Sequence, residues 1–155
     1  MTITSKELEK RLERVRTLES NVTFQFATIS KLMDQNAQEL LVGTPLNLTG
    51  YRVLKMVETF ESLSIADLSR QMVTDSAQIS RVATDLGAKG LVSFQSDPKN
   101  KRRKLVKLSK DGEALMQTLA PRFSARRAAV EALLGGEAIT GLHESFAKLV
   151  EYFSD

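Results

Sequence analysis

The side chains best equipped to act on a partner lie between residues 64 and 110. Ser76, Gln78, Ser80 and Arg81 fall between the apolar positions of one helical stretch, and Lys99, Lys101, Arg102, Arg103 and Lys104 crowd a single short segment. This is not the equipment of catalysis. There is no cysteine nucleophile, no glycine-rich phosphate loop and no motif of paired acids, and one histidine, His143, cannot make a metal set. No metal or cofactor is expected, and the chain is not expected to be an enzyme. What these residues can do is hydrogen-bond and neutralise charge. Glutamine matches the N6/N7 edge of adenine and arginine the O6/N7 edge of guanine. Ser76 and Ala77 sit where the free amides of a helix N-terminus hold phosphate. Ser76, Ala77, Gln78, Ser80 and Arg81 are therefore candidates for base-edge and adjacent phosphate contacts, weighed against an ordinary solvated helix face. Lys99, Lys101, Arg102 and Arg103 are candidates for the phosphate backbone and minor groove, weighed against a merely charged loop. So many like charges at one tip repel one another unless an anion is near.

The elements that must position them are marked by local signals. Ser64-Ile65-Ala66-Asp67 is a capping box that opens a helix, and Asp75-Ser76-Ala77-Gln78 has the pattern of a second. Ala77, Ile79, Val82, Ala83 and Leu86 give the second helix its apolar face, and Lys89-Gly90 stops it. Leu91–Gln95 and Lys104–Leu108 read as strands, with a turn through Pro98 and Asn100 in the loop Ser96–Arg103. The result is a helix-turn-helix followed by a β-hairpin wing. That pair suits double-stranded DNA, a helix for the major groove and an arginine-tipped finger for the minor groove. Arg102 is the first choice for minor-groove insertion and Arg103 the second. Strand alternation sends the two to opposite faces if the strand begins that early.

Helices flank this centre. From Ser5 to about Leu41, Leu8, Leu12, Val15, Leu18, Val22, Phe26, Ile29 and Met33 recur at steps of three and four, with a break allowed at Ser20-Asn21 and an end at Gly43. Thr49 is read as the N-cap of a helix reaching Phe60, with Tyr51, Val53, Leu54 and Val57 buried. Leu46 and Leu48 are read as a short strand beside the wing. Ser109 caps a further helix that Pro121 should kink or break, Gly135-Gly136 stops it, and a last helix runs from Glu137 to about Phe153. The expected fold is mainly α with a small β-wing. Residues 1–45 are N-terminal dimerisation helices, 46–110 the winged helix-turn-helix and 111–155 C-terminal dimerisation helices, in one intertwined unit. Tyr51, Met56 and Phe60 either border an effector pocket or pack in the core. Arg122 and Arg126 share a helix face, which is solvated or pairs with partner acids or an anionic effector.

Composition agrees. Hydrophobic residues make up 42% of 155, enough for a folded core, and no apolar run approaches the roughly 18 residues of a membrane span. The amino terminus lacks the apolar stretch of a signal peptide, so a cytoplasmic protein without a membrane partner is expected. Residues 64–110 carry ten Lys/Arg against four Asp, a local +6 in a chain of net charge +3. A basic centre between mildly acidic arms points to a polyanion that meets one region only.

These residues also carry a family resemblance. Leu48-Thr49 with Tyr51 and Val53-Leu54, Leu68-Ser69, Ser80-Arg81, Ala88-Lys89-Gly90-Leu91-Val92, Asp97-Pro98, Arg102, Val106, Leu108-Ser109, Gly112 and Leu119-Ala120-Pro121 stand in the order and spacing of a MarR-family transcriptional regulator. The resemblance covers nearly the whole chain. It implies an obligate homodimer, a pseudo-palindromic operator in double-stranded DNA, and often a small aromatic or phenolic effector. Three positions depart from the family pattern. Val73 stands where a turn glycine is common, which predicts a different backbone geometry there because valine disfavours positive φ. Asn100 stands where an aspartate usually holds the wing arginine, and Asp85 where a basic residue is frequent. The expected function is that of a dimeric, sequence-specific DNA-binding regulator, a repressor released by a small ligand. The alternative is a winged-helix protein-interaction or architectural module without its own operator.

Overall fold

The computed structural model describes residues 4–154. The chain divides into two compact units, Met1–Thr44 and Pro45–Asp155. In the first, α1 (Ser5–Glu19) and α2 (Val22–Leu40) are separate helices. The break falls at Ser20-Asn21, where the Asn21 side chain accepts from the amides of Thr23 and Phe24 and so starts a new helix. Helix α2 ends three residues before Gly43, which takes a φ of 83° in the turn that follows.

The second unit holds α3 (Leu48–Phe60), β1 (Leu63–Ser64), α4 (Ile65–Met72), α5 (Ser76–Ala88), β2 (Val92–Asp97), β3 (Asn100–Leu108), α6 (Lys110–Leu134) and α7 (Gly136–Ser154). Its core is the apolar stripe of each element turned to one centre: Val53, Leu54 and Val57 of α3, Leu68 of α4, Ile79, Ala83 and Leu86 of α5, Val106 of β3, and Met116 and Leu119 of α6 are all almost fully buried. Each large aliphatic side chain among them contributes about 1.5–3 kcal/mol of transfer free energy. The three strands form an antiparallel sheet in the order β1-β3-β2. This is the expected winged helix-turn-helix, mainly helical with a small sheet.

Several local expectations are corrected. Helix α3 is capped by Asn47, not Thr49; the Asn47 side chain accepts from the Gly50 amide at 2.8 Å. Both residue types cap well, and the one two places earlier takes the position. Leu46 and Leu48 form no strand, since Leu48 is already helical and Leu46 is buried. The free edge of β3 is instead taken by β1, with Leu63 opposite Val106 and Ser64 opposite Leu105. Tyr51 is only half buried and stacks on Phe123, ring centroids 3.9 Å apart. Pro121 does not break α6, which runs unbroken from Lys110 to Leu134. A proline removes one donor, and the long helical stretches on either side retain theirs. Helix α6 ends at Gly135, which adopts a φ of 78°.

The turn between α4 and α5 does not change geometry to suit its valine. Val73 takes φ 49° and ψ 47°, the left-handed conformation. Its side chain is 94% exposed. The Val73 and Thr74 amides bond back to the carbonyls of Arg70 and Ser69, and the Ser69 hydroxyl donates to the Thr74 carbonyl at 2.6 Å. Those bonds close the helix end and hold the residue in a conformation that sterics disfavour.

Candidate nucleic-acid interface

Helix α5 is amphipathic in the required sense. Ile79, Ala83 and Leu86 point into the core, while Ser76, Ala77, Gln78, Ser80 and Arg81 are all exposed. The helix begins at Asp75, whose carboxylate accepts from the Gln78 amide at 3.0 Å. The cap is one-sided, because Gln78 does not close a reciprocal box as Asp67 does for Ser64. Its side chain remains on the outer face. Asp85, the acid that would repel a polyanion, is paired with Lys89 at 2.7 Å, and Lys89 also donates to the Pro45 carbonyl at 2.9 Å.

The wing is longer and its tip tighter than the sequence suggested. Strand β2 reaches Asp97 and β3 begins at Asn100, so the turn is Pro98-Lys99 and the expected loop residues 100–103 are strand. The Asp97 side chain accepts from the Lys99 amide at 2.9 Å, and the Asn100 side chain accepts from the Arg102 amide at 3.1 Å. These short-range bonds take up backbone donors at the tip and let the ladder continue past the charged residues. A register shift between Ser96 and Asp97 adds a local irregularity. Asn100 thus braces the backbone of Arg102. The Phe94 ring of β2 lies against Gly87 of α5, so close that a Cβ there would push the ring aside. The wing is thereby packed on the helix that precedes it.

Lys99, Lys101, Arg102 and Lys104 are exposed. Arg103 is turned the other way. Its guanidinium donates to the Ser64 hydroxyl at 2.9 Å and to the Asp67 carboxylate, and lies 3.8 Å from the Asp97 carboxylate. The alternation of a strand that begins at Asn100 separates Arg102 from Arg103. The Asp67 carboxyl is held below the usual carboxylate range, first by the hydrogen bond from the Ser64 side chain and also by Arg103, against a burial that raises it. Sequence reasoning found the Ser64–Asp67 cap but not its third member. The alternation was the available signal, and no local rule says which of two adjacent arginines faces inward.

A cleft of about 420 Å³ opens between α3, the turn after α4 and the start of α5. Tyr51, Arg52, Lys55 and Met56 line one side, Gln71, Met72 and Thr74 another, and Gln78 reaches its edge. Of the three residues read as either bordering a pocket or packing in the core, Tyr51 and Met56 line this cleft and Phe60 does not. Burial pushes the Tyr51 phenol above its ordinary value. Arg126 lies over the Phe123 ring at 5.4 Å, and Arg127 lies 3.6 Å from Glu131. Among the described residues no cluster of His, Cys, Asp or Glu could hold a metal ion, and no helix is long and apolar enough to cross a membrane.

Residues 46–104 match the family model described as MarR family. No curated protein matches the sequence. Solved structures share the fold at low identity. A MarR family transcriptional regulator from Silicibacter pomeroyi superposes with a TM-score of 0.79 at 17% identity, covering 89% of this chain and 92% of that one. CouR from Rhodococcus jostii, bound to p-coumaroyl-CoA, gives 0.77 at 21% identity, covering 85% and 93%. MepR of S. aureus, in complex with DNA, gives 0.76 at 18% identity, covering 86% and 98%. Residues 46–104, the helix-turn-helix and most of the wing, thus match the MarR family model, and the chain shares its fold with a solved MarR family transcriptional regulator.

Proposed function

We propose that this protein is a homodimeric, sequence-specific DNA-binding regulator that acts as a repressor and is released by a small aromatic or phenolic ligand. The observation that carries the reading is the division of α5: one face is locked into the core and the other presents Ser76, Ala77, Gln78, Ser80 and Arg81, followed by a wing with an exposed Arg102. Gln78 and Arg81 have the chemistry to read base edges, and Ser76, Ala77 and Ser80 to hold adjacent phosphates. Lys99, Lys101 and Arg102 serve the backbone and minor groove. Dimerisation is supported by the arms. Among their described residues α1 and α7 bury nothing fully, and Leu12, Ile29, Val150 and Phe153 are exposed at 50%, 53%, 66% and 77%. Apolar stripes of this extent call for a second copy of the chain. The effector reading is supported by the cleft beside Tyr51, whose mixed lining of Met, Tyr, Lys and Arg suits a flat ring bearing an acidic group. It is also supported by the likeness to CouR, solved bound to p-coumaroyl-CoA.

The test is selection of bound sequences from random DNA, followed by affinity measurements across salt concentration and then with phenolic acids added. A palindromic consensus is expected, with affinity falling steeply with salt because phosphate contacts release counterions. Enrichment of no sequence, or affinity indifferent to salt, would refute the reading and favour a protein-interaction module.

A further inference from the structure

We infer that Arg103 is a positioning residue rather than a DNA contact: it ties the wing to the first helix of the helix-turn-helix and so sets where Arg102 is presented. The inference rests on the DNA-binding reading above. One guanidinium joins two separate devices. Toward α4 it meets Ser64 and Asp67, the two side chains of the box that starts that helix. Toward the wing it lies 3.8 Å from Asp97, the acid that orders the turn by accepting from the Lys99 amide. The acids are largely covered, with side chains 23% and 12% exposed against 40% for the arginine. An arginine drawn out to reach phosphate would leave both without this partner. The register explains why this residue is the one available. Ser64 pairs with Leu105, so β1 holds the cap beside β3 two residues from Arg103, and alternation then turns Arg102 outward. A guanidinium can serve both acids at once through its fork, whereas an ammonium is a single point.

The two roles for Arg103 make opposite statements about coupling, and a double-mutant cycle on the full chain separates them. Against the selected operator, Arg103→Gln is expected to weaken binding about tenfold, the loss of roughly one charge-assisted hydrogen bond's contribution. In an Arg102→Ala background it is expected to do nothing further, because it acts through Arg102. Arg103→Lys should restore only part of the affinity. Asp67→Asn should also weaken binding, although it removes a negative charge close to a polyanion. In the free protein, the amides of residues 97–103 should exchange faster in Arg103→Gln than in the wild type. Additive losses for Arg102 and Arg103, or tighter binding by Asp67→Asn, would overturn the assignment. Unchanged wing exchange would overturn it without reference to DNA, and remains measurable if the wild type binds no specific sequence. A wild type that binds no specific sequence sinks the DNA-binding reading alone, and the exchange rates then still decide whether Arg103 holds the wing.

Discussion

Val73 offers the cleanest test of the backbone. It is a β-branched residue at φ 49° and ψ 47°, with 94% of its surface exposed. For a residue with a Cβ the left-handed region costs about 1–2 kcal/mol. Replacing Val73 by glycine removes that clash and sacrifices almost no packing. It also widens the freedom of the unfolded chain, which costs about 0.4–1 kcal/mol. The expected balance is a gain of about 0.5–1 kcal/mol, or a rise in Tm of about 1–4 °C for a chain of this size. Val73→Asn is the useful companion, since asparagine tolerates the left-handed region without the full entropic cost of glycine. The assay is urea and thermal unfolding at one fixed protein concentration, because association would otherwise move the midpoint. The urea midpoint should rise with an unchanged slope. Operator affinity should stay where it was, since the turn keeps its shape. A lower midpoint for both variants would show that the valine is held by something other than the turn's own hydrogen bonds.

Gly112→Ala should destabilise by about 1–3 kcal/mol, since a Cβ there would run into the Leu91 carbonyl oxygen, which is backbone and already accepts from Ser109; Gly87→Ala should cost less, meeting only the rim of the Phe94 ring. Comparative urea titrations decide the order, and an equal loss at both sites would contradict it. The lowered pKa of Asp67 means that the unfolded chain binds a proton more readily than the folded one. Its contribution is therefore full above the usual carboxylate range and is lost as pH falls through that range toward the lowered value. Ser64→Ala should remove most of this acid sensitivity and Arg103→Gln less, as read from unfolding free energies at stepped pH. Arg81→Ala and Gln78→Ala should each lower specific binding by about 1–3 kcal/mol where they make bidentate base contacts. If both leave operator and random DNA binding untouched, the wrong face of α5 has been chosen. Asn100→Asp retains the acceptor that braces the Arg102 amide and adds charge to that bond, so equal or tighter operator binding is expected; markedly weaker binding with an intact fold would mean that the added charge meets DNA phosphate first.

Much of the architecture was written in short stretches of sequence. The Ser64–Asp67 box, the Asp75 and Ser109 caps, the break at Ser20-Asn21 and the stops at Gly90 and Gly135 depend on groups a few residues apart. Three- and four-residue apolar spacing then gave Ile79, Ala83 and Leu86 as the inward face of α5, whereas Ala77, read with them, is exposed beside Ser76, Gln78, Ser80 and Arg81. Where two neighbouring residues could play one part, local chemistry did not choose between them. Asn47 and Thr49 both cap; Arg102 and Arg103 both carry the charge. Tertiary contacts made those choices. The edge of β3 recruited Leu63-Ser64, which brought the α4 cap beside the wing and drew Arg103 inward. The helix-turn-helix, fixed at both ends by buried Leu68 and Ile79, imposed the left-handed turn on Val73 against its own preference. The cleft beside Tyr51 likewise comes from three elements meeting. Sequence alone determined the parts whose interactions close within one helical turn or one hairpin, because those need no distant partner. The rest waited on the packed core, where burying the apolar faces outweighs a local strain of one or two kcal/mol.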